Sequence, residues 1–222
     1  VYSTNIIAHR GGGYLGNENT VLSLEEASKH HIKSAEIDVQ RTTDGWYVIN
    51  HDNTFKRCCG VKKPVNECTL DEIMEMKVSN NFVPGKPDTD VATLDEMVVA
   101  AKKYNIHLYV ELKGDTADRQ MADDVYHIID TYDYIKGCTF ISMNFDTIYH
   151  LESVHPDAET VLLFLWNSKK YEVRCAFASN GCGYSDECKS GSCEWEKSIC
   201  MDGKYRKRFI KIHNFRCRWN HN

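Results

Sequence analysis

Three carboxylates of this sequence are spaced so that they can meet at one point. Glu36 and Asp38 are two positions apart in the segment SAEIDV, so in a β-strand both side chains project to the same face. Glu111 lies in a later apolar segment, HLYVEL, and a neighbouring parallel strand would bring its carboxylate to the same rim. Because like charges repel, this cluster predicts a bound hard cation, Mg²⁺ or Ca²⁺.

Two histidines and two basic residues follow segments of the same kind. His9 and Arg10 end the first apolar run, His51 follows another, and Lys113 comes shortly after Glu111. Imidazoles titrate near neutral pH and can serve as general acid and general base. Guanidinium and ammonium groups suit an anionic oxygen such as that of a phosphate. The set therefore predicts metal-assisted chemistry on a phosphate-containing substrate.

Alternating strands and helices must position these residues. Six segments are predicted as strands, at 5–9, 34–39, 46–50, 107–112, 138–142 and 160–166. Helices are predicted between them, at 19–31, at 70–76, from Thr93 onward, at 121–132 and at 145–154. This alternation indicates an α/β fold with a parallel sheet, open or closed into a barrel, in which the strand ends share one rim.

Composition excludes several classes of protein. The chain has 222 residues, of which 42% are hydrophobic and 27% charged, as in an ordinary soluble globular protein. A net charge of -5 does not suggest a nucleic-acid binder. The longest apolar run, Val161–Trp166, is far shorter than the ~20 residues that span a bilayer. No charged start followed by an apolar stretch is present, so no signal peptide is expected in this sequence.

Seven short motifs occur in a fixed order between about residues 5 and 166. They are His9-Arg10-Gly11, Glu18-Asn19-Thr20, Glu36-Ile37-Asp38-Val39, Thr43-Asp44-Gly45, His51-Asp52, Thr93-Leu94-Asp95-Glu96 and Glu111-Leu112-Lys113. Together they resemble the glycerophosphodiester phosphodiesterase family. The resemblance implies a TIM-barrel-like (β/α)₈ fold and metal-dependent hydrolysis of a small glycerophosphodiester to an alcohol and glycerol 3-phosphate.

The resemblance also implies a role for each matching residue. The implied metal ligands are Glu36, Asp38 and Glu111. The implied acid–base pair is His9 and His51. Near the substrate phosphate the family would place Arg10 and Lys113, and the implied orienting residues are Glu18, Asn19 and Asp52. Asn17 stands where the family usually has proline. The leaving alcohol, the choice between Mg²⁺ and Ca²⁺, and the division of roles between the histidines stay open.

The sequence changes character near residue 167. Residues 1–167 hold 15 Lys and Arg against 26 Asp and Glu, whereas residues 168–222 hold 12 against 6. Six of the ten cysteines lie after residue 167, and the last leucine is Leu165. We therefore divide the chain into a barrel at 1–167 and a Cys-rich basic tail at 168–222, with one weak strand candidate at 209–215. A full barrel takes typically about 250 residues, so the last two strands are expected to be missing.

Three interpretations of the tail remain open. It is a disulfide-bonded appendage, a metal-binding segment, or the product of a frameshift, a retained intron or a gene-model error. The absence of any Cys-x-x-Cys pair disfavours zinc.

Missing strands would leave the first and sixth predicted strands with unpaired edges. The alternative to an active phosphodiesterase is therefore a truncated, catalytically defective barrel fragment with at most a binding role. A phospholipid-cleaving barrel enzyme is a third, less favoured interpretation.

Overall fold

The computed structural model describes residues 6–79, 85–113, 116–168, 171–178, 194–197, 200–201 and 213–216, with side chains described up to residue 163. The strands are β1 Ile7–Ala8, β2 Ser34–Arg41, β3 Tyr47–Ile49, β4 Lys77–Val78, β5 Thr89–Asp90, β6 His107–Leu112, β7 Cys138–Ser142, β8 Glu159–Ser168, β9 Tyr171–Ala178, β10 Glu194–Lys197, β11 Cys200–Met201 and β12 His213–Arg216. The α-helices are α1 Val21–Lys29, α2 Lys56–Cys59, α3 Leu70–Met74, α4 Leu94–Tyr104, α5 Arg119–Thr131 and α6 Phe145–Val154.

A mainly parallel sheet runs in the order β1-β2-β6-β7-β8. One of the helices α1, α4, α5 and α6 lies between each two consecutive strands of this series. Between β2 and β6 the chain also contains an additional segment that holds β3 to β5. The carboxyl ends of the parallel strands therefore share one rim, as the α/β prediction requires. The core between sheet and helices is built from fully buried side chains such as Ile37, Leu108 and Phe140.

The third predicted strand differs from the expectation of a parallel barrel strand. β3 pairs antiparallel with β2, with Ile49 opposite Val39. The turn after β2 reverses the chain, because the Thr42 hydroxyl accepts the backbone N–H of Trp46 and Gly45 adopts a left-handed conformation with φ 86°. Within the described residues the parallel part of the sheet thus has five strands.

Helix starts follow the local signals of the sequence. The Thr69 and Thr93 hydroxyls accept the backbone N–H groups of Glu72 and Glu96, and each glutamate in turn accepts the N–H of its threonine. These reciprocal capping boxes satisfy two backbone donors at each start. On α4 the residues spaced three and four apart form an apolar face that is buried in the main core; it consists of Leu94, Met97, Val98 and Ala101.

The segment between β3 and α4 contains a second, smaller core. Phe55, Val65 and Ile73 are buried there together with Val78. Cys58 and Cys59 carry free thiols, and a disulfide between such neighbours would be strained. This segment packs beside the rim of the sheet, so it can contribute side chains to any site there.

Beyond β8 the sheet continues with antiparallel strands. β9 pairs with β8 along residues 161–168, and β11 pairs with β9. The expectation of an unpaired edge on the sixth predicted strand, now β8, is therefore wrong, because the chain folds back onto that edge. The tail strand predicted at 209–215 overlaps β12, which pairs with β10, whereas β9, β10 and β11 were not expected. The division of the chain at residue 167 stays a prediction.

Asn17, at the position before the Glu18-Asn19-Thr20 motif, makes buried side-chain contacts. Its fully buried amide nitrogen lies 2.8–2.9 Å from the carbonyl oxygens of Val78 and Pro87 and from the hydroxyl of Thr89. These contacts tie the loop after β1 to the β4–β5 hairpin.

We expect Asn17→Ala to lower the free energy of unfolding by about 2 kcal/mol, because it leaves buried acceptors without a donor. Urea unfolding, with the exposed Asn66→Ala as control, measures the effect. A loss no larger than that of the control would show that these contacts contribute little.

Candidate active site

The three predicted carboxylates meet at the rim. Glu36 and Asp38 alternate with apolar neighbours on β2, and Glu111 on β6 pairs in register with Asp38. One carboxylate oxygen from each residue lies within 4.8 Å of the others. All three residues are buried, with exposed fractions of 0%, 0% and 3%. The two-residue alternation of the strands is what turns these side chains to the same face.

Their mutual repulsion is only partly compensated. Burial, together with the charges of Asp38 and Glu111, raises the pKa of Glu36 well above its ordinary value. Burial acts in the same direction on Asp38, but Lys113, His51 and the Asn19 hydrogen bond together outweigh it and hold the pKa of Asp38 below its usual range. Lys113 Nζ lies 3.0 Å from Asp38 Oδ1 and 3.2 Å from Glu111 Oε1. One ammonium therefore faces three carboxylates.

The donor set fits a divalent cation. Glu36 Oε1 is buried and accepts no hydrogen bond from any described residue. A buried carboxylate oxygen without a partner is costly in a protein interior. A doubly charged cation would match the two carboxylate charges that Lys113 leaves uncompensated, and all-oxygen ligands suit Mg²⁺ or Ca²⁺. Among the described residues this is the one cluster of acidic, histidine or cysteine side chains with such spacing.

The turn after β1 brings His9 and Arg10 onto Glu36. Arg10 adopts a left-handed conformation with φ 54°, and its backbone N–H donates to Glu36 Oε2 at 2.8 Å. His9 Nε2 lies 3.8 Å from the same oxygen, and burial together with the charge of Arg10 lowers the pKa of His9 to about 4. Gly11 is required in this turn, because a Cβ there would lie 2.3 Å from the Ser23 hydroxyl oxygen.

Glu18 and Asn19 hold groups of the site in place. The Asn19 amide donates to Asp38 Oδ2 at 2.8 Å, and its carbonyl oxygen accepts the backbone N–H of Asp38 at 3.3 Å. Glu18 Oε1 accepts a hydrogen bond from Arg10 Nη1 at 3.0 Å. Asn19 has φ 58°, a conformation that asparagine tolerates better than most residues. The loop before α1 therefore fixes a carboxylate and a guanidinium of the site.

His51 reaches the rim because β3 runs antiparallel to β2. The backbone N–H of Asn50 donates to the carbonyl oxygen of Asp38 at 2.9 Å, so His51 follows at the level of the carboxylates. Its Nδ1 lies 2.7 Å from Asp52 Oδ1, and since an ionised carboxylate only accepts, the imidazole donates from Nδ1. Burial lowers the pKa of His51, and the nearby Lys113 charge adds to that effect.

Arg57 is a residue of this region that sequence reasoning missed. It lies on α2 and bonds both Glu18 and Asp52. No spacing rule separates it from the adjacent Lys56, because α2 has only four residues and no apolar face to orient it. When Arg57 is included, hydrogen bonds and ion pairs connect all ten predicted site residues in one network.

A cavity of about 430 Å³ opens beside the acidic cluster. Its lining includes Glu111 and Lys113 together with Asn53, Ser142, Met143 and Asn144. The cavity can therefore present a small polar molecule to the carboxylates and to the Lys113 ammonium. None of the helices in the described part of the chain is long and apolar enough to cross a bilayer.

Comparison with known proteins points to one family. The sequence model of the glycerophosphoryl diester phosphodiesterase family matches residues 9–192. Glycerophosphodiester phosphodiesterase 1 of Mus musculus is 26% identical over 164 residues, which are 70% of this chain and 47% of the relative. The chain thus spans about half the length of this curated relative.

Solved structures share the fold. A glycerophosphodiester phosphodiesterase from Parabacteroides distasonis superposes with a TM-score of 0.59 at 30% identity, over 70% of this chain and 63% of that one. A phosphodiesterase from Oleispira antarctica, in complex with the product sn-glycerol-3-phosphate, gives a TM-score of 0.64 at 25% identity over 71% and 64% of the two chains. These similarities confirm the predicted α/β, TIM-barrel-like fold.

Proposed function

Because the chain belongs to the glycerophosphoryl diester phosphodiesterase family, we propose that it hydrolyses glycerophosphodiesters to an alcohol and sn-glycerol 3-phosphate. The observation that carries the proposal is the buried cluster of three carboxylates beside two histidines and two cations at one rim. An assembled site of this kind favours an active phosphodiesterase over a defective barrel fragment. The small-molecule product bound to the Oleispira antarctica relative supports the substrate class.

Glu36, Asp38 and Glu111 would hold a divalent metal, Mg²⁺ or Ca²⁺. When bound, this ion supplies charge neutralisation for a phosphate oxygen. The partnerless oxygen of Glu36 and the excess of carboxylates over ammonium groups at this point support that role.

Arg10 and Lys113 bind the phosphate of the substrate. Glu18 bonds one terminal nitrogen of the Arg10 guanidinium, so the group is held in a fixed orientation. Lys113 borders the cavity that would receive the substrate. Two cations held in place in this way can bind a phosphodiester without first having to be ordered.

His9 and His51 move the protons. One removes a proton from the attacking hydroxyl, which is either water or the glycerol 2-hydroxyl, and the other protonates the oxygen of the leaving alcohol. On His51 the proton moves at Nε2, because Nδ1 is bonded to Asp52. Asn19 and Asp52 orient Asp38 and His51, and Glu18 orients Arg10.

Release of glycerol 3-phosphate from glycerophosphocholine tests this function directly. We expect turnover with Mg²⁺ or Ca²⁺, its loss on addition of EDTA and its return when the metal is restored in excess. Glycerophosphoethanolamine, glycerophosphoinositol and bis-glycerophosphate identify the preferred leaving alcohol, and intact phosphatidylcholine tests the lipase interpretation. Folded protein that releases no glycerol 3-phosphate from any of these diesters with either metal would contradict the proposal.

A further inference from the structure

Arg57 bonds two carboxylates at once. Its Nη1 and Nη2 lie 2.6 Å and 2.7 Å from the two oxygens of Glu18. Its Nε and Nη2 lie 2.8 Å and 3.1 Å from the two oxygens of Asp52. One planar guanidinium thus makes a bidentate contact with each of two carboxylates, and this fixes the plane of both.

The carboxylates of Glu18 and Asp52 differ in burial and in their other hydrogen-bond partners. Glu18 is buried, with 4% of its side chain exposed, and it is also bonded to Arg10. Asp52 is one third exposed and receives the hydrogen bond of His51 Nδ1. Glu18 is therefore the fixed end of this chain of contacts, and Asp52 with His51 is the end that Arg57 holds in place.

The backbone around Asp52 is secured without Arg57. Its carbonyl oxygen accepts hydrogen bonds from the side-chain amides of Gln40, at 2.8 Å, and Asn50, at 2.5 Å. Losing Arg57 should therefore leave the loop in place and release the Asp52 carboxylate, whereas Glu18 keeps its hydrogen bond from Arg10. The effect on the imidazole would come through that carboxylate.

We propose that Arg57 is a positioning residue that, through Asp52, fixes the tautomer and the direction of the His51 imidazole. The inference rests on the proposed function of His51 as a proton-transfer group. A carboxylate that accepts from one ring nitrogen keeps the other available for reaction. Partners that orient metal-binding histidines in the same way typically matter 10–100-fold for affinity or activity, and we expect an effect of that order here. A lysine cannot replace Arg57, because an ammonium has no planar fork to bind both carboxylates.

Steady-state kinetics of Arg57→Gln and Arg57→Lys test the proposal. We expect kcat on the preferred diester to fall about 10–100-fold in Arg57→Gln and at least about fivefold in Arg57→Lys, with KM changed less than about threefold. The matched control is Arg41→Gln, which removes another half-buried bidentate pair, that of Arg41 with Asp118, away from His51. The control should keep the wild-type kcat, although its melting temperature should change by about as much as that of Arg57→Gln.

A second measurement does not depend on turnover. Long-range ¹H–¹⁵N correlation spectra of the imidazoles, with His51 assigned by His51→Gln, report which ring nitrogen of His51 carries the proton. We expect the Nδ1–H tautomer in the wild type and in Arg41→Gln, and a mixture of tautomers in both Arg57 variants. An inactive wild type would overturn the proposed function, while these spectra would still decide the role of Arg57. Wild-type kcat or an unchanged His51 tautomer in folded Arg57→Lys would overturn the positioning role.

Discussion

Replacing Glu36 with glutamine is expected to lower kcat by about 10³-fold or more while stabilising the metal-free protein. The two effects have one cause. The Glu36 carboxylate is buried beside two others, and its pKa is raised because burial and those negative charges oppose its ionisation. Glutamine keeps the shape and the acceptor for the Arg10 N–H but removes one of the three charges on which metal binding depends.

Turnover and thermal unfolding separate these effects. With EDTA present, Glu36→Gln should melt at a higher temperature than the wild type. The rise in melting temperature that Mg²⁺ or Ca²⁺ gives the wild type should be absent or much smaller in the variant. The exposed Glu67→Gln is the matched control, for which turnover, melting temperature and metal response should all stay at wild-type values. Turnover of Glu36→Gln within tenfold of wild type would rule out a metal site that depends on this carboxylate.

Replacing either His9 or His51 with glutamine is expected to lower kcat on glycerophosphocholine by about 10²–10⁴-fold, the range typical of a lost general acid or base. Glutamine can still donate and accept hydrogen bonds but cannot take up or release a proton at neutral pH. In the proposed mechanism one histidine takes up a proton while the other releases one, so neither can replace the other. The exposed His30→Gln is the control and should keep full activity.

A p-nitrophenyl ester of glycerol phosphate then separates the two roles. Its leaving group departs as the phenolate and needs no proton, so the variant that lacks the general acid should recover most of its activity. The variant that lacks the general base should stay impaired, because the attacking hydroxyl still has to lose its proton. Recovery of both variants, or of neither, would contradict the division of acid and base roles between these histidines.

Local sequence rules were sufficient for the shared face of Glu36 and Asp38 in the carboxylate cluster. Glu36 and Asp38 share a face because side chains alternate along a strand, whatever the rest of the fold does. Thr69 and Thr93 begin helices because each is followed three residues later by a glutamate that completes a capping box. The order of the seven motifs then indicated the family that the chain resembles, and with it the TIM-barrel-like fold.

The tertiary structure alone decided how His51 and Arg57 enter the site. The segment that leads to His51 reads as one more apolar strand, and its residues do not specify whether it pairs parallel or antiparallel with β2. The reversal at Gly45 sends it back along β2, which places His51 at the level of Asp38. Arg57 lies on a helix of four residues, where no periodicity assigns a face.

By itself, then, the sequence determined the strands of the parallel sheet, the capped helix starts at Thr69 and Thr93, and the shared face of Glu36 and Asp38, because these depend on neighbours a few residues apart. The pairing direction of β3 and the link from Glu18 through Arg57 to Asp52 join residues that are up to 39 positions apart. The antiparallel pairing of β9 with the edge of β8 likewise depends on which strands meet in the folded chain. Such contacts depend on which surfaces meet when the chain is packed, and no pattern of adjacent residues encodes that.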